Sequence, residues 1–163
     1  MPNTLRDGYS NFKFFQCVVP QVTTVGAING TAVDIKGYDT ATIIVNVGTQ
    51  TGGGADSATS RHQLKLEHYN STAGAWSECY PSQMIHSTVG MAGAYSALAS
   101  GAFASVYSVT SFGNVTYAVG YKGPHRTIRV VISQVGAPSL YSMAAIAVLG
   151  QPNDWPVMTP VGD

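Results

Sequence analysis

The sequence predicts an all-β protein, an antiparallel β-sandwich or jelly roll with a long uncharged insertion and extended termini. Three observations carry that expectation. Apolar and polar residues alternate with period two at 41–47, 62–69, 115–121 and 127–133, the pattern of half-buried strands. Clusters of Gly, Pro, Asn and Asp punctuate these runs at short spacing, which gives about seven or eight strands. No stretch sustains a helical period, although the alanines of 91–103 could carry a short helix.

Taken in order, residues 1–15 read as an N-terminal arm whose Phe12, Phe14 and Phe15 need a surface to cover them. A strand is expected over 16–28, with Pro20 demoting part of it to a sheet edge. Asn29-Gly30 is a strong hairpin signal, and 31–36 is expected to return as the second strand. After the turn at Gly37-Tyr38-Asp39, Ala41, Ile43, Val45 and Val47 mark the next strand. Residues 48–61 read as a Gly/Ser/Thr/Ala linker, without the Lys and helix context of a phosphate cradle.

The cleanest alternation is 62–69, with Leu64, Leu66 and His68 on one face and Gln63, Lys65, Glu67 and Tyr69 on the other. A turn at 70–74 leads to a short strand at 75–80, with Trp76 expected in the core. The strongest signal is the stretch 117–134. Val115, Tyr117, Val119 and Tyr121 alternate before Lys122-Gly123-Pro124-His125, and Ile128, Val130 and Ile132 alternate after it. The expectation is a core hairpin carrying Lys122, Arg126 and Arg129 at its turn. Residues 139–149 are apolar on both faces, as in a strand covered on two sides. The Pro-rich residues 151–163 read as an extended tail, so a single domain is expected over 16–150.

Composition bounds the function. The chain has 163 residues, enough for one domain with a real core, and only 10% are charged, against about 25% in ordinary domains. The net charge is zero and the pI near 6.9, which leaves no basic excess for nucleic acid. No apolar run approaches the ~18 residues of a membrane span. The first residues lack a signal-peptide pattern, and Cys17 and Cys79 do not make a disulfide framework, so two free thiols in a reducing cytosol are expected. On that reading the sequons at Asn29, Asn70 and Asn114 are incidental.

From Cys79 to Tyr121 the chain carries no Asp, Glu, Lys or Arg. A stretch so long, uncharged and rich in Tyr and Met is expected to be an insertion, 81–114, buried against another subunit. The candidate contact residues are Phe12, Phe14, Phe15, Met84, Ile85, Met91, Tyr95, Leu98, Phe103, Tyr107, Lys122, Arg126, Arg129 and Trp155.

Candidate chemistry is sparse. His62, His68, His86 and His125 lack metal-ligand spacing. Neither cysteine has a base beside it in sequence, and the carboxylates form no acid–base pair or calcium loop. No nucleophile elbow, P-loop or dinucleotide fingerprint is present. No enzyme activity, metal or cofactor is expected.

Three segments carry a resemblance: Thr31 to Gly48, Val119 to Ile132, and Ala145 to Pro152. Their order resembles a family of small virion proteins of tailed bacteriophages and prophages, some of them similar to capsid cement (decoration) proteins. The segments that carry the resemblance make up about a quarter of the chain, and the resemblance implies no catalytic residues. It implies a structural protein on the capsid surface, folded in the host cytoplasm, whose partners are the major capsid protein and other copies of itself. The alternatives are another virion part, such as a tail-tube, head–tail connector or collar subunit, or a glycan-binding sandwich using Trp76 and Trp155.

Overall fold

The computed structural model describes residues 12–23, 26–52, 54, 56–57, 59–86, 101–106 and 114–152. They form an antiparallel β-sandwich. The strands are β1 (Phe12–Val22), β2 (Ile28–Asn29), β3 (Val33–Asp34), β4 (Tyr38–Gly52), β5 (Arg61–Asn70), β6 (Ala75–Glu78), β7 (Met84–His86), β8 (Ala102–Val106), β9 (Val115–Tyr121), β10 (Thr127–Val135) and β11 (Leu140–Pro152). Single 3-10 turn 81–83 precedes β7. The strand segments outnumber the sequence expectation because the segment expected at 16–28 is divided between β1 and β2, and because β7 and β8 lie where an insertion was expected.

One sheet has the order β1-β11-β4-β9-β7. The other is built on the pair β10–β5, and each of these two strands has a divided outer edge. Strands β2 and β3 lie in succession along β10, and β8 and β6 lie in succession along β5. The Leu66 backbone bridges the second division: its N–H donates to Gly101 O at 2.8 Å and its carbonyl accepts from Cys79 N–H at 2.9 Å.

The core lies between the sheets. Ile43, Val45 and Val47 of β4 and Tyr141, Met143, Ala145, Ala147 and Leu149 of β11 point inward from one sheet. Leu64, Leu66, Ile128, Val130, Ile132 and Phe103 point inward from the other. Each fully buried Ile, Leu or Val contributes roughly 1.5–3 kcal/mol. The period-two reading of β5 holds residue by residue, with Leu64, Leu66 and His68 buried.

Several expectations are corrected. Strands β9 and β10 do not form a hairpin: β9 pairs with β4 and β7, while β10 pairs with β5, β2 and β3. Residues 122–126 therefore carry the chain from one sheet to the other. This arch folds down on Tyr121, whose hydroxyl accepts the His125 backbone N–H at 3.0 Å. A Cβ on Gly123 would overlap the Tyr121 ring, so only glycine permits the approach. Asn29-Gly30 is not a hairpin turn either. Gly30 lies so close to β10 that a Cβ would sit 2.7 Å from Val130 O, and β2 and β3 both pair with β10.

Phe12, Phe14 and Phe15 belong to β1 rather than to an arm, and β11 runs on through Gln151 and Pro152. Residues 48–52, the first part of the 48–61 segment read as linker, are the end of β4, and Arg61 begins β5. Trp76 lies on the outer side of its sheet, opposite Tyr69. The insertion 81–114 is not one excursion, because β7 and β8 lie within it and join different sheets. Strand β1 is an edge strand, as Pro20 suggested.

Candidate functional site

The registers define the outer face of the five-stranded sheet. Phe14 stands opposite Val148, Val148 opposite Thr42, Thr42 opposite Gly120, and Gly120 opposite Ile85. These five residues form one row across all five strands, because directly opposed residues share a face. The next row is Gln16, Ile146, Ile44 and Ala118, and the one beyond it Ala144, Asn46 and Thr116. Phe12 lies across Gly150 beside Thr40, close enough that a Cβ on Gly150 would meet its ring at 2.8 Å. None of these positions is charged.

Phe12, Phe14 and Ile85 are 42%, 54% and 60% exposed. Ile44, Ile146 and Val148 are half-buried. Lys122 and Asp39 stand at one rim, beside a depression of about 530 Å³ between β4 and β7 whose floor is Gly120. A second depression, of about 380 Å³, lies toward β1 between Val22, Asn46 and Ala144. This face carries no charge and leaves Phe12, Phe14 and Ile85 open, which makes it the candidate contact site.

The outer face of the other sheet is built differently. Arg129 reaches Glu67 at 2.7 Å and lies 4.2 Å over the Trp76 ring. Lys65 pairs with Glu78 at 2.6 Å. Tyr69 meets Trp76 edge-on, with ring centroids 5.5 Å apart. Gln63 and Val131, which point the same way, are buried. At the arch, Arg126 forks onto both oxygens of Asp34, and this hydrogen bond holds the Asp34 carboxyl down at about 2.

Between the sheets lie two polar clusters. In the first, His68 Nδ1 is 3.4 Å from Cys79 Sγ and 3.4 Å from the Tyr121 hydroxyl, and its ring is 4.2 Å from that of His125. The sequence offered Cys79 no base, and the fold supplies one. Burial, and after it the charge of Glu67, pushes the Cys79 thiol up to about 12. Burial, and after it the charge of His125, lowers the His68 pKa. A buried pair whose surroundings disfavour the charged form of both groups is poorly suited to nucleophilic chemistry, so the pair reads as part of the core. In the second cluster, His62 Nε2 lies 2.8 Å from Ser139 O. Asp56 accepts from the Tyr141 hydroxyl at 2.7 Å and from the Ser139 N–H at 2.8 Å, which ties Asp56 to the start of β11. Among the described residues no group of His, Cys, Asp or Glu could hold a metal ion, and no helix is long and apolar enough to cross a membrane. Both cysteines are free thiols.

The sequence-expected contact residues divide accordingly. Phe12, Phe14 and Ile85 come together on the uncharged face. Phe15 packs against the core. Met84 and Phe103, 5% and 0% exposed, are core residues of this chain and not contacts for a partner. Arg126 and Arg129 are ion-paired within the chain, and Lys122 stands at the rim. Met91, Tyr95, Leu98, Tyr107 and Trp155 lie outside the described residues. Sequence reasoning missed Ile44, Ala118, Ile146 and Val148 as members of this face, although the two-sided apolar run of β11 carried the signal. No family model matches the chain, and no curated protein matches it.

Proposed function

We propose that this chain is a structural virion protein of a tailed bacteriophage, a decoration protein that binds the assembled head and bridges its capsid subunits. The observation that carries the reading is the division of the sandwich into an ion-paired outer face and a charge-free one. An uncharged sheet face with protruding aromatics is poorly matched to life as a free monomer and well matched to a subunit that spends its working life in contact. The resemblance of 31–48, 119–132 and 145–152 to phage virion proteins supports the choice of assembly. The mechanism is linkage: a protein that binds only the assembled shell stabilises it, and modest contacts add up through repetition.

The test is to add the purified chain to heads that lack it. Saturable binding at a fixed copy number per capsid, with a rise in the temperature at which heads release DNA, is the expected result. Density for the chain in the tail, neck or collar of a virion reconstruction, or no binding to heads, overturns the decoration role.

A further inference from the structure

The uncharged face has a symmetry of its own. In the order β1-β11-β4-β9-β7, β4 is the middle strand. Bulky side chains lie on one side of it, with Val148 and Ile146 on β11 and Phe14 on β1. Small ones lie on the other, with Gly120 and Ala118 on β9. The registers put Val148 level with Gly120, and Ile146 level with Ala118.

We propose that two copies of this chain pair through this face, about a two-fold axis that runs along β4 between the sheets. Such an axis keeps each row level and exchanges left for right. Val148 of each copy then lies over the side-chain-free Gly120 of the other, in the depression. Ile146 meets Ala118, and Phe14 meets Ile85 at the margins. Ile44 meets its own mate at the axis. An isologous contact brings every group near the axis against its twin, which excludes charge from the middle of the face, and none is present.

The area suffices. Four strands of seven residues and the three residues of β7, spaced about 4.8 Å and 3.4 Å, give roughly 500 Å² per copy, or roughly 1,000 Å² in all, at the ~1,000 Å² expected of a specific contact. Pairing edge to edge is the less suitable route. Strand β1 is interrupted by Pro20 and two register shifts, and β7 is three residues long, the devices that blunt sheet edges. The inference rests on reading this sheet as a contact face and on nothing about a virion.

The experiment uses the full chain. Sedimentation should give a dimer, and Ala118→Arg, which buries a cation under Ile146 of the partner, should weaken association about a hundredfold while leaving the melting temperature of the monomer unchanged. Phe14→Cys mixed with Ile85→Cys should form a disulfide between copies under mild oxidation, and neither variant alone should do so. The native Cys17 and Cys79 are buried and do not interfere. A monomer at high micromolar concentration, a dimer indifferent to Ala118→Arg, or Phe14→Cys cross-linking best to itself overturns the proposal. A dimer of the expected geometry that ignores phage heads upholds the pairing and removes only the decoration role.

Discussion

The two outer faces of the sandwich use the same strand geometry to opposite ends. On the β10–β5 sheet, Arg129 and Lys65 are spent on Glu67 and Glu78, and Gln63 and Val131 are buried. On the outer face of the five-stranded sheet none of the opposed rows carries a charge, and Phe12, Phe14 and Ile85 are left open. The difference teaches that low overall charge need not be spread evenly. The few charged pairs are gathered where the chain satisfies itself, and the other face is left clear for something outside it.

Two phenylalanines give the sharpest contrast. Phe103 of β8 is fully buried, so Phe103→Ala should destabilise the free chain by about 3–5 kcal/mol in chemical unfolding. Phe14→Ala should change it by less than about 1 kcal/mol. Equal losses would mean that Phe14 belongs to the core and that the open face is misread.

The ion-paired face comes next. Arg129→Ala leaves Glu67, 16% exposed, without its partner and uncovers Trp76. A loss of about 1–3 kcal/mol is expected, reduced in the double variant with Glu67→Gln. Additive losses would show that Arg129 and Glu67 do not act as a pair.

The core between the faces should report through pH. Burial holds His62 and His68 neutral, so both have folded pKa values below 6.5. The unfolded chain takes up protons that the folded chain refuses. Stability is therefore full above about pH 6.5 and falls as pH drops below it. Melting temperatures from pH 8 to 5 should show this decline, and His68→Gln should flatten part of it. A flat profile for the native chain would place both imidazoles in contact with water.

The smallest effect is expected on the open face. Ala118→Arg should alter the stability of the free chain by no more than about 0.5 kcal/mol. A loss of several times that would show Ala118 to be covered by the chain itself.

The sequence made the inward and outward sides of β4, β5 and β10 legible because each has one face in the core. It did not make sheet membership legible. Alternation at 115–121 and 127–133 looks the same whether the two strands pair with each other or face each other across a core. The strand partners distinguish an arch from a hairpin, and the packing of Gly123 on Tyr121 shapes the arch. Met84 and Phe103 were misassigned for a related reason. An uncharged run is what burial requires, and burial in one's own core leaves the same signature as burial in a partner's. Half of the candidate site was visible in the two-sided apolar pattern of β11. That Phe12 and Phe14 join it depends on the β1–β11 register, which pairs residues more than a hundred positions apart.

That pairing bears on how the chain is made. Among the described strands β1 pairs only with β11, so β1 leaves the ribosome more than a hundred residues before its partner. At about 5–20 residues per second, the interval between Val22 and Leu140 is on the order of ten seconds. Through it, Phe12, Phe14 and Phe15 have no strand to lie beside, and β4 lacks a neighbour on one side. Closure of this sheet is a late, long-range event, and chaperones that shield β1 during synthesis should raise the yield of native protein more than they raise its final stability.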